Sequence, residues 1–120
     1  MSLTLLIVDD EPLVCRSLKR ELRGTACRVL LAADGEEALQ LLLREQVDVL
    51  VTDYRMPGLS GAELVRHARA LQPDLLAIVL SATPDEARQD LADPETPVLG
   101  KPRDRSELQH LVFPDLLEAA

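Results

Sequence analysis

The sequence predicts an α/β domain: a doubly wound, five-stranded parallel sheet with helices on both faces. Three observations carry this. Short apolar runs alternate with longer amphipathic stretches along the whole chain of 120 residues. The runs are continuously apolar, as strands buried on both faces require. Strands that alternate with helices favour parallel pairing, because each helix returns the chain to the same end of the sheet.

The elements follow in order. Leu5-Leu6-Ile7-Val8 is the first strand and leads into Asp9-Asp10. A helix follows from Pro12 to Arg23, with Val14, Leu18 and Leu22 at four-residue spacing, Pro12 in its first turn and Gly24 as its stop. Cys27 to Ala33 is the second strand, and Asp34 is placed to cap a helix that carries Ala38, Leu41 and Leu42 inward. Val47 to Thr52 is the third strand, ending on Asp53. The loop Tyr54 to Gly61 holds Pro57, Gly58 and Gly61 as breakers, and a helix from about Ala62 to Leu71 follows. Leu75 to Leu80 is the fourth strand, ending on Ser81. Pro84 to Ala92 makes about two turns of helix, and Asp93 to Pro97 is a loop bracketed by prolines. Val98-Leu99 is a short fifth strand before Gly100-Lys101-Pro102. A last helix begins near Asp104, with Leu108, Leu111 and Val112 on one face, and Pro114 ends or kinks it.

Length and composition narrow the function. A chain of 120 residues fits one domain, residues 1–120, with a core large enough to fold without staples. Tyr54 and Phe113 are its only aromatic residues, so no stacking platform for single-stranded nucleic acid is available. The net charge of −8 repels phosphate backbones and argues against direct nucleic-acid binding. Cys15 and Cys27 lack metal-ligand spacing and read as small core residues in a reducing compartment. No signal peptide or long apolar run is evident, so the expected location is cytoplasmic and away from the membrane.

The residues at the strand ends point to chemistry. Asp9, Asp10, Asp53, Ser81 and Lys101 all follow strands. In an open parallel sheet the carboxyl ends of the strands form the ligand crevice. Any one of these residues alone reads as a cap, a turn residue or a solvated charge. Together they place three carboxylates, a hydroxyl and an ammonium at one edge. Crowded carboxylates repel unless a cation neutralises them, and an all-oxygen donor set suits Mg²⁺, with Mn²⁺ as a substitute.

The segments Leu6-Ile7-Val8-Asp9-Asp10-Glu11-Pro12, Val51-Thr52-Asp53-Tyr54-Arg55-Met56-Pro57-Gly58, Leu80-Ser81-Ala82 and Gly100-Lys101-Pro102 resemble those of bacterial two-component response regulator receiver domains. Their separations match as well: 44 residues from Asp9 to Asp53, 28 on to Ser81 and 20 on to Lys101. The resemblance implies a flavodoxin-like (CheY-like) strand order, 2-1-3-4-5. It implies that Asp53 is the phosphoacceptor, taking a phosphoryl group from the phosphohistidine of a sensor histidine kinase or a histidine phosphotransfer protein. It implies that Asp10, Asp53 and the backbone carbonyl of Arg55 bind the metal directly, with Asp9 acting through water. Ser81 and Lys101 then contact the phosphoryl oxygens, and the Arg55 and Thr83 side chains tune hydrolysis. Catalysis beyond self-phosphorylation and self-dephosphorylation is not implied, so the chain is not expected to be an enzyme. The Lys101–Pro102 peptide is expected to be cis.

Three features depart from the family pattern. Val98 stands where receiver domains usually carry Tyr or Phe, the ring that moves as the hydroxyl is drawn to the phosphoryl group. The segment Asp93 to Pro97 replaces a common Gly-Ala pair, and Pro114 shortens the final helix. All three fall on the face by which most family members dimerise or signal, so an unusual output surface is expected toward an output domain or downstream partner. The alternative reading is a receiver-fold interaction module without phosphate turnover. A haloacid-dehalogenase-like phosphatase would need Asp-x-Asp after the first strand, whereas Asp9 and Asp10 are adjacent.

Overall fold

A computed structural model describes residues 3–22, 27–101 and 111–112. Its elements are β1 (Leu3–Val8), α1 (Pro12–Leu22), β2 (Cys27–Ala32), α2 (Gly35–Arg44), β3 (Val49–Asp53), α3 (Gly61–Leu71), β4 (Leu76–Ser81), α4 (Pro84–Leu91) and β5 (Val98–Gly100). Leu111 and Val112 are helical. The stop at Gly24, the start of the last helix near Asp104, the Lys101–Pro102 peptide and Pro114 lie outside the described residues. The strands form one parallel sheet in the order β2-β1-β3-β4-β5, as expected.

Alternation along the central strands sends side chains to two separate cores. On one face Leu6, Val8, Leu50, Ala77 and Val79 pack with Ala38 and Leu42 of α2, Leu64, Val65 and Ala68 of α3, and Ala87 and Leu91 of α4. On the other, Leu5, Ile7, Val49, Val51, Ile78 and Leu80 pack with Cys15, Leu18 and Leu22 of α1 and with Val112. Each fully buried Leu, Ile or Val contributes about 1.5–3 kcal/mol, so β1, β3 and β4 form a rigid platform. In α1 the buried stripe is Cys15, Leu18 and Leu22; Val14 is only half-buried. No disulfide joins Cys15 or Cys27.

Side chains fix the helix starts. Asp34 accepts a hydrogen bond from the Glu37 N–H at 2.8 Å and caps α2. At α3, Ser60 Oγ accepts from the Glu63 N–H while Glu63 Oε1 accepts from the Ser60 N–H, which satisfies two otherwise orphaned donors. Gln72 ties the far end of α3 to its neighbours: its Oε1 accepts from the Val47 N–H, and its Nε2 donates to the carbonyls of Leu42 and Glu45. The segment Asp93 to Pro97 is a stapled turn. Thr96 Oγ1 donates to Asp93 Oδ2 at 2.7 Å, the Glu95 N–H donates to Asp93 Oδ1, and Arg69 of α3 donates to both Asp93 and Thr96. These bonds, the one from Thr96 first, hold the Asp93 carboxyl below its usual pKa.

Candidate functional site at the carboxyl ends of the strands

Register brings the site together. In the parallel ladder Val8 lies opposite Thr52, so Asp9 and Asp53 follow on neighbouring strands. Asp53 lies opposite Leu80, which places Ser81 one residue beyond it. Ser81 lies opposite Gly100, which brings Lys101 to the same edge. The ladder continues past the strand ends: the Lys101 N–H donates to the Ser81 carbonyl at 2.9 Å and the Tyr54 N–H to the Leu80 carbonyl at 2.9 Å.

Carboxylate oxygens of Asp9, Asp10 and Asp53 lie within 4.8 Å of one another. Lys101 Nζ donates to Asp53 Oδ1 at 2.8 Å and sits 3.7 Å from Asp9 Oδ2. One ammonium thus touches two of the three carboxylates. Asp9 is only 3% exposed, Asp53 is half-buried and Asp10 is exposed. Burial pushes the Asp9 carboxyl above its usual pKa. A hydrogen bond from the Glu11 N–H, at 2.9 Å, opposes that shift; Asp53 adds to it, Lys101 opposes it, and Asp10 adds to it.

Ser81 is buried, and its Oγ accepts the Thr83 N–H at 2.9 Å. The Thr83 hydroxyl lies 3.3 Å away. All five strand-end residues expected from the sequence thus share one edge. The Arg55 guanidinium pairs with Glu86 of α4 and lies 5.9 Å from the Tyr54 ring centroid.

Three supporting residues escape a reading of the sequence. Gly61 packs against the backbone of the site: a Cβ there would lie 2.4 Å from the Asp53 carbonyl oxygen, and its N–H donates to the Tyr54 carbonyl at 2.7 Å. Tyr54 is buried, and its hydroxyl donates to Asp90 Oδ2 of α4 at 2.8 Å. Ser60 caps the helix that Gly61 begins; the Ser60-x-x-Glu63 spacing is the legible signal for that cap.

The Tyr54 bond makes a prediction. Donation to Asp90 raises the tyrosine above its ordinary pKa of 10.0, and burial and the Asp90 and Glu86 charges add to this against Arg55. The folded state holds the proton more tightly, so the stabilisation is whole below pH 10.0 and is lost as pH rises through the folded value. Tyrosinate absorbance, read from the only tyrosine of the chain, should titrate above 10.0, and Asp90→Asn should move the midpoint back down.

The sequence matches the response regulator receiver domain family over residues 5–113. The chain belongs to that family. As a receiver domain it is a module of two-component signalling. It is 43% identical over 82 residues to the response regulator MprA of Mycobacterium ulcerans, a match covering 68% of this chain and 35% of that protein. The chain thus spans about a third of that relative's length. The receiver fold also matches a two-component transcriptional regulator AraC from Clostridium phytofermentans ISDg with a TM-score of 0.84 and 30% identity, covering 97% of this chain and 94% of that one. It matches the receiver domain of the sensor histidine kinase PA1611 from Pseudomonas aeruginosa PAO1, solved with a magnesium ion in its active-site cleft. There the TM-score is 0.80 and the identity 29%, over 93% of this chain and 95% of that one. Among the described residues, no helix is long and apolar enough to cross a membrane.

Proposed function

We propose that Asp53 accepts a phosphoryl group from a phosphohistidine on a sensor histidine kinase or a histidine phosphotransfer protein. The observation that supports this best is the Asp53 carboxylate itself: one oxygen is held by Lys101 Nζ at 2.8 Å, within a cluster of three carboxylates. An oxygen of Asp53 attacks phosphorus, the N–P bond to the donor imidazole breaks, and an acyl phosphate forms. Such transfer depends on positioning and charge neutralisation more than on covalent help from the protein. The Lys101 ammonium offsets the charge of the phosphoryl oxygens. The Ser81 hydroxyl, with its lone pair already engaged by the Thr83 N–H, donates its proton to one of them. Hydrolysis by water returns Asp53 to its free state, so phosphotransfer and dephosphorylation are self-catalysed and the domain works as a signalling module.

The donor set fits Mg²⁺. Asp10, Asp53 and the Arg55 carbonyl would hold it, with Asp9 acting through water and Mn²⁺ as a substitute. Bound there, the ion neutralises the carboxylate cluster and the phosphoryl oxygens. The magnesium reported for the PA1611 receiver domain supports this choice of ion.

We read residues 1–120 as one receiver domain acting in the cytoplasm. Its output would pass to a further domain or a downstream partner protein, without direct nucleic-acid contact by this acidic chain. The test is intact-mass measurement after incubation with acetyl phosphate and Mg²⁺. A gain of one phosphoryl group, abolished by chelation and by Asp53→Asn, is expected. No gain with any phosphodonor would favour a pure interaction module.

A further inference from the structure

Helix α4 is held at both ends, and Tyr54, next to Asp53, bonds Asp90 near its end. Its end is tied to α3: Arg66 donates to the Asp90 carbonyl at 3.0 Å, and Arg69 pairs with Asp93 at 2.6 Å. Its start is tied to the site. The Thr83 N–H donates to Ser81 Oγ, and Glu86 pairs with Arg55, two residues beyond Asp53. Thr83 makes no side-chain cap bond, and Ala87 packs the first turn against the core. Just beyond that turn, Arg88 pairs with Asp85 and also donates to the Val98 carbonyl.

We propose that the Arg55–Glu86 pair is a latch that phosphorylation opens: Arg55 leaves Glu86 for the phosphoryl group, and the first turn of α4 loosens while its end stays on α3. This rests on the reading of Asp53 as phosphoacceptor. Both partners of the latch are substantially exposed, 67% and 49%, so the pair is weak and exchangeable. A phosphoryl group carries more charge than the Glu86 carboxylate and presents several oxygens to a planar guanidinium. Ser81 donates to the same group while its Oγ keeps the Thr83 N–H, so the Arg55–Glu86 pair is the tie that changes. Val98 is too small to act as a swinging ring, and the latch supplies a route from Asp53 to α4 that does not need one.

The test uses the full chain, before and after treatment with acetyl phosphate and Mg²⁺, with intact mass and amide hydrogen exchange read on the same samples. Exchange of the Ala87 amide, which donates to the Thr83 carbonyl, and of the neighbouring Arg88 amide should rise about two- to fivefold on phosphorylation, the range set by an exposed ion pair. The Ala92 amide, bonded to the Arg88 carbonyl at the end of α4, should be unchanged. Emission from Tyr54, free of any tryptophan signal, should shift in step as the guanidinium leaves its ring. In Glu86→Gln the Ala87 amide should exchange fast before any phosphorylation, and phosphorylation should add little. A full mass gain with unchanged Ala87 exchange, or a Glu86→Gln protein that responds like its parent, would overturn this inference alone. Absence of a mass gain would overturn the phosphoacceptor reading and this inference with it.

Discussion

Gly61→Ala is expected to destabilise the domain by about 3 kcal/mol, the upper range for overpacking a site that cannot yield. The added Cβ would meet the Asp53 carbonyl oxygen at 2.4 Å and the Tyr54 Cα at 2.9 Å. Both are backbone atoms. They cannot rotate away as a side-chain tip could. The strand end is also fixed from behind, because the Tyr54 N–H bonds the Leu80 carbonyl and the Tyr54 carbonyl receives the Gly61 N–H. Relief therefore requires α3 to move off the sheet or Asp53 to shift, and either displaces the carboxylate from Lys101. Urea unfolding should show the loss, and phosphorylation by a small phosphodonor should slow with it. Gly58→Ala is the comparison. Gly58 has φ +79°, and its added Cβ meets nothing within 4 Å, so only the backbone term of about 1 kcal/mol applies. Equal losses in the two variants would remove the argument for close approach at Gly61.

Asp9→Asn should act in opposite directions on stability and on metal binding. Asp9 is buried beside Asp53 and Asp10, and its raised pKa means that the folded state disfavours its charge. The sign follows. Stability from holding the proton is whole below the ordinary value of 3.8 and is lost as pH rises through the folded value, so at neutral pH the ionised carboxylate is a cost. Asparagine removes that charge and keeps an oxygen for the Glu11 N–H. The metal-free variant should gain about 1 kcal/mol at neutral pH, and the advantage should vanish below pH 3.8. Affinity for Mg²⁺ should fall about 10- to 100-fold, as expected for removal of a group that acts on the ion through water. Thermal unfolding across pH and a Mg²⁺ titration measure both. A variant less stable than its parent without metal would contradict the view of the site as carboxylates held together against their repulsion.

Much of this was legible in the sequence because the information is local. The central strands announce themselves as apolar runs, and a parallel sheet carries their final polar residues to one edge. Asp9, Asp53, Ser81 and Lys101 therefore met where expected. What escaped is made by contacts between distant residues. Tyr54 and Asp90 are 36 residues apart, and Arg69 and Asp93 are 24 apart. Neither pair has a spacing that marks it. Gly61 looks like one more loop breaker until the Asp53 carbonyl is placed against it. The segment Asp93 to Pro97 reads as a loop from its prolines, yet Thr96, Asp93 and Arg69 make it a fixed turn. At α1 the four-residue spacing selected Val14, which is half-buried, while Cys15, read as a core residue from its type, takes the buried position beside it, because the face of a helix is set by the sheet it packs on.

The assignment of Asp53 is tested most directly by locating the phosphoryl group. The protein, phosphorylated by acetyl phosphate with Mg²⁺, would be reduced with borohydride, which converts an aspartyl phosphate to homoserine, and then mapped by peptide mass spectrometry. Homoserine at position 53, with Asp9 and Asp10 unchanged, is the expected result. A label at Asp9 or Asp10, or on a serine or histidine, would contradict the role given to Asp53.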